Sequence, residues 1–455
     1  MRKAAIVTLL MVSFFLLVAA DKKEHDLIYV PPSAQRTGDT AKGLHYLIYG
    51  DFLKSGFPLP LYLRKGKSAN NYLARTGSSA LVEHGYNVVM NKDSIEIVIP
   101  TCLQCHAQVL DGQLIIGLGN SLSDFTTTKQ QAKSLSMVKM LQLSAPKQYN
   151  AVKALANAIQ TVNPEMEAEV RGVNVADRLA AVLVAHRDPT TLAWSDEPLM
   201  DIPAQVIPSD VPAWWLLKKK HAMFYNAFGR GDFSKFLMAS NLLTVTDTAE
   251  AAEVNSHFGD VLAYILSIEA PNYPLSVNPA LVNKGKTIFN ATCSGCHGTY
   301  GAGGSYPNFV VPLRIIRTDS MLIKANQQNP QFVNWFNKSW LAQPPYAAHL
   351  EPTEGYIAPP LDGVWCTAPY LHNGSVPTIE AVLKSSIRPT YWQRDFDNPH
   401  YDFQNLGWVY EVKSAPQGKQ VYNTTLPGYG NAGHYFGDKL TDAERKAVIE
   451  YLKTL

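Results

Sequence analysis

The chain has 455 residues, is 46% hydrophobic and 17% charged, and carries a formal net charge of +2. That is enough apolar material for two sizeable cores and too little charge for a disordered chain. The near-neutral balance excludes an obvious nucleic-acid binder, and five cysteines are too few for a disulfide scaffold of this length.

Arg2 and Lys3 precede an apolar run from Ala4 to Ala19, and Val18-Ala19-Ala20 supplies small residues before the charged Asp21-Lys22-Lys23-Glu24. This order reads as a secretory signal peptide over residues 1–20, cleaved after Ala20. Removing Arg2 and Lys3 brings the 40 basic residues level with the 38 acidic ones. The expectation is an exported protein, periplasmic or secreted, with no stable membrane span after cleavage. Residues 21–100 contain many glycines, prolines and tyrosines and read as irregular. Ser94–Ile99 alternates and is β-branched, which predicts a strand.

That strand leads into Cys102-Leu103-Gln104-Cys105-His106, and the same pattern returns as Cys293-Ser294-Gly295-Cys296-His297. C-x-x-C-H is the attachment motif of c-type haem. Each thiol adds to a haem vinyl group, and the adjacent histidine becomes an axial ligand of the iron. With five cysteines and twelve histidines, one copy arises by chance roughly once in a thousand such chains, and two copies far less often. A zinc ribbon needs its pairs about 15–20 residues apart, whereas Cys105 and Cys293 are separated by most of a domain. Two covalently bound c-type haems are therefore the expected cofactors, with Cys102, Cys105, His106, Cys293, Cys296 and His297 holding them. Cys366 is left over and reads as a small buried hydrophobe.

Between the motifs, Ser134–Leu143 and Asn174–Ala185 have helical patterns. Trp214-Trp215 reads either as an electron relay between the haems or as core packing. Phe224 is a candidate apolar wall over the first iron. Asp260–Leu266 is a further helix, and Ala270-Pro271-Asn272-Tyr273-Pro274 marks a linker. Asn278–Phe289 is the helix leading into the second motif. The last helix, Ala447–Leu452, starts from a capping box at Thr441-Asp442-Ala443-Glu444. Val261, Tyr264 and Ile265 align with Val448, Tyr451 and Leu452, so the closing helix looks repeated. The fold class is mainly α: two c-type cytochrome domains, 21–270 and 271–455, with long irregular loops and a few short strands.

Function turns on the second axial position, because an open iron binds dioxygen or peroxide and a doubly ligated one transfers electrons. After His297, the glycine-rich loop Gly430–Gly437 carries His434, and Ala368–Ser375 carries His372. Glycines let backbone approach a flat cofactor, so His434 is preferred as the far ligand of the second haem. Between His106 and His297 only His186, His221 and His257 occur, and each reads as a solvated residue. The first haem is thus expected to be five-coordinate or weakly capped.

The segments Pro359–Trp365 and Thr367–Thr378, with Thr101–Ala107, Gly112–Asn120, the Trp214-Trp215 region and Gly430–Leu455, resemble the bacterial di-haem cytochrome c peroxidase superfamily, above all its haem-dependent rubber oxygenase branch. The resemblance covers most of residues 45–455. It implies an N-terminal haem that binds dioxygen and a C-terminal bis-histidine haem whose far ligand is His434. It also implies a tryptophan between the haems, matching Trp215. Cys366 stands where the shared motif usually has a small residue. No histidine follows shortly after His106, where the peroxidases carry a removable ligand. The expected activity is a haem-dependent oxidoreductase of dioxygenase or peroxidase type, the alternative being a non-catalytic electron-transfer cytochrome. The implied partners are dioxygen or a small-molecule oxidant, an apolar organic substrate and a redox partner protein, with no nucleic acid.

Overall fold

The computed structural model describes residues 27–127 and 129–455. The signal-peptide reading falls on residues outside that range. Nine helices of eight or more residues carry the described fold: α1 (Thr40–Tyr49), α2 (Lys129–Ser144), α3 (Pro146–Val162), α4 (Ala176–Ala185), α5 (Thr248–Ser267), α6 (Pro279–Thr292), α7 (Met321–Gln328), α8 (Pro330–Lys338) and α9 (Asp442–Leu452). The sheets among the described residues are small, with two or three strands each. No described helix is long and apolar enough to cross a membrane.

Two helix pairs organise the molecule, α1 against α5 and α6 against α9. A glycine sits at each crossing. A Cβ on Gly43 would lie 1.9 Å from the carbonyl oxygen of Asp260, and a Cβ on Gly285 would lie 1.9 Å from that of Ala447. No side chain fits between these backbones. Asp260 and Ala447 immediately precede Val261 and Val448, the first residues of the repeated pattern. In both helices the aligned residues face inward: Val261 and Ile265 are buried, as are Val448, Tyr451 and Leu452. The same crossing at the same register thus occurs twice, once around each C-x-x-C-H motif in chain order.

Residues 27–100 are more regular than their composition suggests. α1 lies there, capped by the Asp39 carboxylate, which accepts from the Ala41 and Lys42 amides. Its interior glycine lowers helix propensity by about 1 kcal/mol, and that disguises the helix in sequence. The strand before the first motif runs over Glu96–Pro100, between strands Phe57–Pro58 and Tyr86–Met90. It starts two residues late because Ser94 takes a left-handed φ of 57° in the turn before it. α4 also starts late: Asn174 bridges to Ser209 and its side chain accepts from the Ala176 amide. α6 begins from Asn278 as its cap, and α9 shows the capping box between Thr441 and Glu444.

The cores do not stop at the Ala270–Pro274 linker. One cluster gathers Leu47, Ile97, Leu103, Trp214, Val261 and Ile265 with Trp335, Leu350, Trp392 and Tyr422 from later in the chain. A second gathers Phe289, Trp365, Val448 and Leu452 with Leu110, Leu118, Ala213 and Trp215 from earlier. Strands exchange likewise, since Ile28–Tyr29 pairs with Val310 and Phe309, and Gly229–Gly231 with Ala348–Leu350.

Gly285→Val should disrupt the α6–α9 crossing, at the upper end of the ~1–3 kcal/mol typical of overpacked sites or beyond it. Thr441→Ala, which loses only the cap, should cost about 1 kcal/mol. Urea unfolding of the two variants checks that order.

Candidate functional site

Both C-x-x-C-H segments fold into one helical turn. The carbonyl of Cys102 accepts from the amides of Cys105 at 3.2 Å and His106 at 3.0 Å, and the carbonyl of Cys293 accepts from Cys296 and His297 at the same two distances. Approach and exit differ. The first turn follows the Glu96–Pro100 strand and leaves along the hairpin Ala107–Leu110/Gln113–Ile116. The second continues α6 directly. All four thiols are free of disulfides, and burial pushes those of Cys102 and Cys293 up to about 11. They stay neutral as placed. Cys366 is buried and points its Sγ at the Gly363 carbonyl, 3.1 Å away.

Around the second motif is a cavity of about 280 Å³. Cys293, Cys296, His297 and His434 line it, with apolar wall from Phe289 and Leu452. His297 Nδ1 lies 2.8 Å from the Pro359 carbonyl. A carbonyl can only accept, so Nδ1 carries the proton and Nε2 keeps its lone pair. Burial lowers the His297 pKa, which keeps the ring neutral and able to ligate.

His434 reaches the same cavity from the glycine-rich loop. Its own φ is 50°, and its amide donates to Ile316. Gly433 is required here: φ is 83°, and a Cβ would lie 2.3 Å from the Thr318 amide nitrogen. Arg388 clamps the loop, donating to the carbonyls of Asn431 and Gly433 at 2.7 Å each. The rings of His434 and His297 stand 6.1 Å apart, centroid to centroid. Two metal–imidazole bonds of about 2 Å plus two ring radii span about 6 Å. Burial lowers the His434 pKa to about 3, assisted by His297. The donor set of two thiols one turn apart and two neutral imidazoles across a cavity therefore fits a c-type haem.

His372 lines the cavity but is otherwise engaged. It stacks on Tyr356 at 4.1 Å, and its Nε2 bonds to the Tyr356 hydroxyl at 3.1 Å. That hydroxyl donates to the Asp319 carbonyl, which leaves Nε2 as the donor.

At the first motif, His106 is half-buried, its Nδ1 is enclosed with no partner, and burial lowers its pKa to about 4. Its ring stacks on Trp214 at 4.6 Å. The three histidines between the motifs are occupied elsewhere, and His186 is buried rather than solvated. His186 bonds to the Ser195 carbonyl and stacks on Trp194, His221 bonds to the Val30 carbonyl, and His257 stacks on Tyr46. Asn174 Nδ2 approaches Cys105 Sγ at 3.4 Å.

Trp214 and Trp215 part company. Trp214 belongs to the first core beside His106, whereas Trp215 is fully buried in the second, where its Nε1 donates to the Asp362 carbonyl at 2.8 Å. Phe224 holds a left-handed φ of 68° and is 38% exposed, with its ring edge-on to Phe236. Sequence reasoning passed over Trp214 as a partner of His106, Arg388 as the loop clamp and Asp210 in the cavity wall. Nothing in their spacing marks them, because each acts across more than forty residues or from an irregular loop.

Residues 355–393 match the family described as RoxA-like, cytochrome c-like. That match implies a c-type haem with iron and is consistent with a haem-dependent oxidoreductase. The matched segment contains Pro359, the partner of His297, together with Asp362 and His372. The chain is also similar to two proteins of Sinorhizobium fredii. It is 43% identical to Uncharacterized protein y4iJ over 111 residues, 22% of this chain and 18% of that protein. It is 25% identical to Uncharacterized protein y4iM over 312 residues, 59% of this chain and 68% of that protein. The first of these matches spans less than a fifth of the relative's length.

Asp210 carries a pH dependence. Burial pushes its carboxyl up to about 7, against the bond from Tyr225 and the charge of Arg394. Unfolded, the group ionises near 3.8. Across that window the unfolded chain releases a proton that the fold keeps, so stability falls as pH rises and levels off above it. Asp210→Asn should lack the decline, so urea midpoints of the two proteins should diverge between about pH 4 and about pH 7.

Proposed function

We propose that this protein is an exported di-haem c-type cytochrome oxidoreductase. Residues 21–270 and 271–455 form two cytochrome units, each holding one haem on its own C-x-x-C-H turn. The doubled glycine crossing around the two motifs supports this division. A haem attached at Cys293, Cys296 and His297 would be held by His434 as well and would supply electron transfer. A haem attached at Cys102, Cys105 and His106 would supply the chemistry of dioxygen or peroxide.

One observation carries the reading. His297 faces a second imidazole across the cavity at a separation that fits one metal ion, whereas the ring beside His106 is that of Trp214. Such haems, when bound, supply iron that exchanges electrons and, where open, binds an oxidant. The chain's own residues do the rest. Pro359 fixes the His297 tautomer and aims Nε2 inward. Phe289 and Leu452 give the cavity an apolar wall, and Arg388 holds His434 in place. Trp214 and Trp215, adjacent in the chain and seated in different cores, connect the His106 side to the His297 side. Phe224 is assigned to the wall of the first iron site. Engagement of His372 with Tyr356 supports His434 as the ligand. An apolar organic substrate and a redox partner protein complete the proposal on the strength of the family resemblance.

Carbon monoxide separates an enzyme from a plain electron carrier. The reduced protein should show two haems per chain, of which one binds carbon monoxide. His434→Ala should double the carbon monoxide bound by opening the second haem. Optical titration reads both numbers, and binding to neither haem of the unaltered protein would sink the reading. Oxygen uptake with unsaturated hydrocarbons, set beside a peroxide assay, then divides dioxygenase from peroxidase.

A further inference from the structure

Three consecutive lysines precede His221, and they meet three different fates. Lys218 pairs with Glu269 at 2.6 Å, and Lys219 pairs with Asp362 at 2.7 Å. Lys220 turns inward, is 8% exposed and lines the cavity that holds His297 and His434. Its hydrogen bond is to the Phe224 carbonyl at 3.2 Å, which uses one of three ammonium protons. Burial lowers its pKa to about 8, and no carboxylate offsets that effect. The two carboxylates on the cavity wall are already taken, Asp210 by Tyr225 and Asp362 by Lys219. Thr318 Oγ1 also lines the cavity, buried and without a partner. A buried, uncompensated charge is strongly unfavourable in a native fold. Haem brings two propionate carboxylates of the opposite sign.

We propose that Lys220 is the counter-ion of a propionate of the haem attached at Cys293 and Cys296. The inference rests on reading that cavity as a haem site. Lys220 then acts as a positioning residue: it holds the haem edge and raises the haem's reduction potential, because a nearby cation favours the less positive, reduced state.

The test uses the full holoprotein with Lys220→Met and Lys220→Arg, titrated optically against potential. In Lys220→Met the midpoint of the six-coordinate haem should fall, that of the other haem should stay, and both should keep their ligation spectra. Lys220→Arg should restore the midpoint. Unchanged midpoints, or a shift confined to the other haem, would overturn the proposal. If Lys220→Met takes up no haem, infrared redox-difference spectra decide instead, using haem carrying carbon-13 in its propionates. The propionate band of the unaltered protein should move in Lys220→Arg, and an unmoved band would count against the pairing. The ligation spectrum of the unaltered protein tests the haem reading separately, since it does not depend on Lys220.

Discussion

Two backbone-to-backbone contacts set the frame for everything else. At Gly43 against Asp260 and Gly285 against Ala447, helix axes approach so closely that not even a methyl group fits. Close approach brings the inward faces of α5 and α9 onto their partners and fixes the register of Val261 and Val448. In the second half, α6 runs on into the Cys293–His297 turn, so its contact with α9 also sets where both thiols and His297 stand. The His434 loop precedes α9 by a few residues and is held from the other side by Arg388. The 6.1 Å ring separation is thus a downstream result of a glycine on a neighbouring helix.

Charge is handled differently at the two ends of the cavity. The imidazoles are kept neutral by burial, and for His297 a carbonyl fixes the proton on Nδ1. Neutral imidazole is the ligating form. Polar groups at the far wall are mostly satisfied in pairs, Tyr225 with Asp210 and His372 with Tyr356. Such pairing lets a polar wall stand beside apolar residues without exposing unmet hydrogen-bonding groups.

Features set by local spacing were legible in the sequence. The two C-x-x-C-H turns, the capping box at Thr441 and the helices around Asp260 and Asn278 all depend on neighbours within about five residues. α1 was not legible, because the glycine that permits its crossing also breaks its pattern. Trp214 and Trp215 could be singled out as a pair, but not assigned to opposite cores, since an irregular turn decides which way each points. Lys220 was hidden for the opposite reason: a run of lysines usually marks a solvated surface, and the fold turns only the last of them inward. His434 could be favoured over His372 from its glycines alone, whereas the stacking of His372 on Tyr356 joins residues from separate segments.

The interleaving of the two cores bears on how the chain matures. The first core draws Trp335, Leu350, Trp392 and Tyr422 from the second half. A chain made from its N-terminus presents Cys102 and Cys105 long before those residues arrive. Until then the first core lacks part of its wall, and both thiols stay open to solvent. Late closure of the core thereby acts as a timer, leaving the first C-x-x-C-H turn accessible while the rest of the polypeptide is still being made.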